Sequence, residues 1–104
     1  MSSILALSRP VDDPDGLADL IERIARDADR GAFARLFGWY APRVKAVLLK
    51  LGAPAPRADD LTVEVMAAVW RQAARFDRAA MSPDTWIFRI TRNLNLGAFR
   101  GRAA

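Results

Sequence analysis

Residues 81–100, MSPDTWIFRITRNLNLGAFR, decide the reading of this chain. Ser82 is a preferred helix N-cap, and Pro83 fits the first helical position, where its missing N–H costs nothing. Asp84 falls in the first turn, where a carboxylate favours the positive end of the helix dipole. Trp86, Ile87, Ile90 and Leu94 then recur at helical spacing, while Arg89, Arg92 and Arg100 lie off that stripe. One helix therefore carries an apolar face for a core and a basic face for a partner. Such a helix suggests a nucleic-acid reader. Trp86 and Phe88 point toward a single strand, because aromatic rings beside arginines hold unstacked bases at about 1–3 kcal/mol each. For Trp86, on the apolar stripe, core packing is an equally good reading.

The charge distribution agrees with this. Residues 1–77 carry eleven basic and eleven acidic side chains and are neutral. From Arg78 onward there are five arginines, Arg78, Arg89, Arg92, Arg100 and Arg102, against Asp84 alone. The whole net charge of +4 thus sits in the last quarter, as expected for a polyanion partner at that end or for a solvated arginine face.

Working back from that helix, every other segment also reads as helical. Residues 1–12 form a loose leader. Asp13 caps a helix over 14–27, with Leu17, Leu20, Ile21 and Ile24 on one stripe. Asp29 caps the next segment, whose apolar positions from Phe33 to Leu51 keep helical spacing until Gly52 ends it. Pro42 inside that run predicts a kink or break near residues 38–41. GAPAPR, residues 52–57, reads as a stiff non-helical loop. A third helix follows over 58–75, and its apolar residues cover more than one face. It is therefore central in the bundle or keeps surface for a partner. Residues 76–81 connect it to the last helix. With no alternating run and no hairpin turn, the class is all-α, a small bundle of about four helices.

Composition excludes much. At 104 residues, with 52% hydrophobic and 27% charged residues, the chain is one folded domain. No run approaches the roughly 18 apolar residues that span a bilayer, and the N-terminus lacks a signal-peptide pattern. There is no cysteine, hence no disulfide or thiolate metal site, and no histidine. Phosphate-binding glycine motifs are missing, and Asp12, Asp13 and Asp15 read as capping residues rather than a metal cluster. Asp60 and Glu64 lie one turn apart, but without a nearby histidine, cysteine or lysine they make a poor catalytic pair. No catalytic residue, metal or cofactor is expected, and the chain is not read as an enzyme.

Three ordered blocks carry a resemblance. AFARLFGWYAPRVKAVLLKLG (32–52), ADDLTVEVMAAVWR (58–71) and TWIFRITRN (85–93) resemble the second conserved region of bacterial RNA polymerase sigma factors of the extracytoplasmic-function (ECF) group. The last two are similar to that family's A-x-D-L-x-Q-E-V-F-x-x-x-W and T-W-L-x-R-I-A-R-N. The resemblance spans about residues 15–100.

It implies a cytoplasmic helical domain that binds core RNA polymerase and recognises and melts the −10 promoter element in transcription initiation. The segment matching 58–71 would dock on the clamp helices of the β′ subunit, with Asp60, Glu64 and Arg71 as contacts. The segment matching 76–100 would hold the melted non-template strand. Phe76, Asp77, Arg78, Ser82, Trp86, Arg89, Arg92, Asn93 and Arg100 are its expected DNA residues. Residues 77–82 correspond to the loop that captures a flipped base and sets promoter choice. An anti-sigma protein is a further expected partner. The chain departs from the family in having Val63 in place of glutamine and Leu96-Gly97 in place of an Ile-Asp pair. Fraying is therefore expected at the end of the last helix. The family's second domain, which reads the −35 element, is expected to be absent from these residues. An alternative is a protein-interaction module, binding polymerase or an anti-sigma protein without productive DNA binding. A helix-turn-helix repressor fits poorly, because 52–57 and 76–82 do not resemble a tight turn before a recognition helix.

Overall fold

The computed structural model describes residues 13–103, with side chains through residue 98; the expected leader lies outside them. Four α-helices follow in order: α1 (Pro14–Asp27), α2 (Arg30–Lys50), α3 (Ala55–Gln72) and α4 (Pro83–Ala103). A short 3₁₀ turn, Ala73–Arg75, continues α3. No strand occurs among the described residues, so the all-α class holds.

Local signals start the helices where expected. The Asp13 carboxylate accepts from the Asp15 backbone N–H at 3.0 Å, and that of Asp29 accepts from the Ala32 N–H at 3.0 Å. Each satisfies one of the donors that a helix start leaves open. At the end of α2, Gly52 takes φ 95°. Its N–H bonds to the Leu49 carbonyl, and the Ala53 N–H bonds to that of Leu48, both at 3.0 Å. This pair of bonds is a Schellman closure, which needs a left-handed residue at that position.

Two expectations are corrected. Helix α2 runs through Pro42 without a break, which removes the break but not the kink from the expectation. Pro42 and Gly38, whose carbonyl loses its donor, are both exposed, so water can take up the freed group. The neighbouring Trp39 carbonyl accepts from Arg43 Nη1 at 2.7 Å. Residues 52–57 are also not all loop, because α3 already begins at Ala55. Pro56 falls in the first turn, where a missing N–H and a fixed φ suit a helix, so the proline starts α3 rather than delaying it.

Helix α3 is central, touching α1, α2 and α4. Val65, Met66 and Val69 of α3 are fully buried against Ile21 of α1, Leu36, Tyr40, Val44 and Leu48 of α2, and Ile87 of α4. The buried hydroxyls are satisfied within their helices: Thr62 Oγ1 donates to the Ala58 carbonyl at 2.7 Å and Thr91 Oγ1 to that of Ile87 at 2.9 Å.

Helix α4 does not stop at Gly97 but continues to Ala103. A Cβ added at Gly97 meets nothing within 4 Å. Gly97→Ala is therefore expected to stabilise the domain by up to about 1 kcal/mol, through helix propensity alone. Thermal unfolding read by far-UV circular dichroism checks this, and a lowered midpoint would contradict it.

Candidate nucleic-acid interface

Helix α4 begins as its sequence dictates. Ser82 Oγ accepts from the Thr85 N–H at 3.1 Å and contacts Thr85 Oγ1 at 3.0 Å. Trp86, Ile87 and Ile90 face the core at 8%, 0% and 8% exposure. Arg89, Arg92 and Asn93 stand exposed on the other side. At spacings of three and four residues they share one face. With Asp84, Thr85 and Phe88 they line a shallow hollow of about 320 Å³. None of these three polar side chains forms a hydrogen bond or ion pair among the described residues, so their donors are open to a ligand. Phe88 is half-buried, its ring set edge-on to Tyr40 with centroids 6.1 Å apart.

Asp84 is the acid in that hollow, and it is engaged. The Tyr40 hydroxyl, fully buried on α2, donates to Asp84 Oδ1. Burial first, and the Asp84 hydrogen bond second, push the Tyr40 phenol far above its usual range. Sequence reasoning missed this pair. Asp84 read as a dipole partner and Tyr40 as one more apolar position, and nothing local links residues 44 apart.

The other expected DNA residues divide. Phe76 and Trp86 are core residues at 9% and 8% exposure, their rings 5.3 Å apart. Phe76 immediately precedes the loop and fixes its start in the core. Asp77 turns the loop: its carboxylate accepts from the Ala79 N–H at 2.9 Å, and its carbonyl accepts from Ala80 and Met81. Arg78 points back to α1. Its Nη1 donates to Asp19 Oδ1 at 2.7 Å and Glu22 Oε1 at 3.0 Å, and its Nη2 lies 3.5 Å from Asp15 Oδ1. The hydrogen bond to Asp19 is the main reason its guanidinium is held still more firmly protonated than usual. Arg100 lies in α4, outside the residues whose side chains are described.

A second aromatic–arginine pair borders the start of α4 and was also missed. The Arg43 guanidinium lies 3.4 Å over the Trp39 ring, a cation–π contact. Both line a hollow of about 140 Å³ with Ser82, Pro83 and Asp84. Their four-residue spacing on a helix was the available signal.

The expected polymerase contacts lie elsewhere, on α3. Asp60, Glu64 and Arg71 are all exposed, and Val63 between the two acids is 60% exposed. Asp59 is paired with Lys45 at 2.8 Å. Asp60 and Glu64 form no ion pair among the described residues. Of the two alternatives for helix α3, its central placement is observed, and Asp60, Val63, Glu64 and Arg71 lie on its exposed side. Among the described residues, no group of acids, histidines or cysteines could hold a metal, and no helix is long and apolar enough to cross a membrane.

Comparison with known proteins bears on this geometry. Residues 36–104 match sigma-70 region 2. The chain is similar to the ECF RNA polymerase sigma factor RpoE of Cereibacter sphaeroides, 42% identical over 81 residues, covering 78% of this chain and 45% of that protein. It is also similar to the ECF sigma factor SigK of Mycobacterium ulcerans, 28% identical over 90 residues, covering 86% of this chain and 48% of that protein. The crystal structure of Rhodobacter sphaeroides SigE in complex with the anti-sigma ChrR matches with a TM-score of 0.80 at 39% identity, covering 86% of this chain and 55% of that one. The chain spans about half the length of the curated relatives it matches. On the helix order, the basic α4 face and these matches together, the chain belongs to the sigma-70 region 2 family, in its ECF group.

Proposed function

We propose that this domain serves in transcription initiation as the part of a sigma factor that binds core RNA polymerase and holds the melted −10 strand of a promoter. The observation that carries this reading is the open row of Arg89, Arg92 and Asn93 beside half-buried Phe88. Guanidinium groups grip phosphates bidentately and stack on bases, and an aromatic ring offers a further stacking surface. The loop at residues 77–82 borders this helix and presents the small side chains Ala79 and Ala80, leaving room for a base turned out of the stack. Phe76, packed against Trp86, anchors the start of that loop in the core. The outward face of α3, with Asp60, Glu64 and Arg71, is the polymerase contact, on the β′ clamp helices. An anti-sigma protein is a third partner, as ChrR is for the relative SigE. The work is cytoplasmic and contributes binding energy alone; RNA synthesis belongs to the polymerase.

A fluorescence titration with the −10 non-template single strand tests this, with random duplex as control. Preference for the single strand is expected, and equal binding of the two would refute base capture. Replacing both Arg89 and Arg92 by alanine should weaken binding and flatten its salt dependence. Each lost phosphate contact removes about 0.7 from the log–log slope on single strands, hence about 1.4 for both.

A second reading rests on Val63, an exposed apolar residue between two acids that form no ion pair among the described residues. It favours a module that docks on protein without productive DNA binding. Retention on core polymerase combined with no strand binding would select it.

A further inference from the structure

Residues 77–82 need a reason to hold one shape. The loop carries small side chains at Ala79 and Ala80, and its backbone is turned around Asp77. Its ends are fixed by Phe76 in the core and by Ser82 capping α4. Between them, Met81 packs against the core, and the one charged long side chain, Arg78, crosses to α1. Arg78 there meets Asp15, Asp19 and Glu22, which lie at i, i+4 and i+7 and so form a single stripe along α1. Its Nη2 also lies 3.4 Å from the Asp15 carbonyl. The opposite face of α1 is buried through Leu17, Leu20, Ile21 and Ile24, so the stripe is mounted on a rigid element.

Charge decides what this arginine does. One guanidinium meets three carboxylates, so its donors are already engaged. A phosphate arriving there would have to break Arg78 away from those acids. Arg89 and Arg92 have no such partners among the described residues. We propose that Arg78 is a positioning residue: through Asp15, Asp19 and Glu22 it clamps the strand-reading loop to α1, and it does not contact phosphate. The assignment rests on the strand-binding reading above. It makes α1 part of the reading apparatus, although no residue of α1 meets the strand.

The two roles predict opposite effects of removing acids. Asp19→Asn with Glu22→Gln takes away two negative charges near the strand. If Arg78 is a clamp, this double variant weakens single-strand binding by about fivefold, the most that an exposed ion-pair network supports. Arg78→Ala weakens it by a similar factor, and the triple variant is no worse than Arg78→Ala. The salt slope stays that of the wild type, and the amides of Ala79, Ala80 and Met81 exchange hydrogen faster in every variant. Arg78→Lys, which keeps the charge but loses the fork, behaves like Arg78→Ala and serves as the substitute if that variant fails to fold. If instead neutralising the acids strengthens or preserves binding while Arg78→Ala lowers the slope by about 0.7, Arg78 is a phosphate contact and the clamp is wrong. Unchanged amide exchange in the variants also overturns it. If the wild type fails to prefer the −10 strand, the proposed function fails, and exchange at these amides still decides whether the clamp exists.

Discussion

Truncating Ile87 to alanine is expected to destabilise the domain by about 2–5 kcal/mol. Ile87 is the largest fully buried apolar side chain of α4. Its loss removes apolar burial and leaves a space between α4 and the central helix, which neighbouring side chains fill only partly. For a small domain this is a large share of the total stability, which is typically about 5–15 kcal/mol. Arg92, five residues on along the same helix, is exposed and pairs with nothing among the described residues. Arg92→Ala is therefore expected to shift stability by no more than about 0.5 kcal/mol. Urea unfolding of the two variants side by side checks the division of α4 into a structural and a binding face. Comparable losses from both would show that the division is wrong.

Alkaline titration gives the second large effect. Tyr40 is the chain's one tyrosine, so phenolate absorbance reads a single group. Its phenol ionises at 10.0 when exposed and is pushed far above that value in the fold, chiefly by burial. The folded state therefore keeps a proton that the unfolded state gives up. This contribution to stability is fully present below pH 10.0 and is lost progressively above it. Each pH unit beyond that point costs about 1.4 kcal/mol, or about 3 kcal/mol by pH 12. Folded protein should show no phenolate step near 10, and phenolate should appear together with the loss of helix. In Tyr40→Phe the steep loss above pH 10 should disappear, although the variant starts from lower stability because the bond to Asp84 is gone. A phenolate step near 10 without unfolding would disprove the burial and bonding assigned to Tyr40.

What could be read from the sequence follows the range of the interaction. Ser82, Pro83 and Gly52 marked their helix ends correctly because capping is settled within a few residues. The α4 stripe was likewise legible, since Ile87, Ile90 and Arg92 are sorted by helical period alone. Pro54 and Pro56 misled because a proline that breaks a helix interior is welcome in a first turn, and composition does not distinguish the two. Pro42 misled for a related reason: its lost bond falls on the exposed side, where a break is unnecessary. Arg78 and Arg89 look alike in sequence. They differ because Asp19 and Glu22, more than fifty residues earlier, converge on one and not on the other. The Tyr40–Asp84 bond lay beyond local reading for the same reason.

That bond acts as a rotational index for α4. An α-helix turns about 100° per residue, so a small roll about its own axis would carry the open arginines away from the strand and expose Ile90. Apolar packing is non-directional and resists such a roll only softly, whereas a buried hydroxyl aimed at one carboxylate oxygen accepts few angles. Asp84 lies in the first turn of the helix, so fixing it to α2 sets the angular phase of every later residue on that rod.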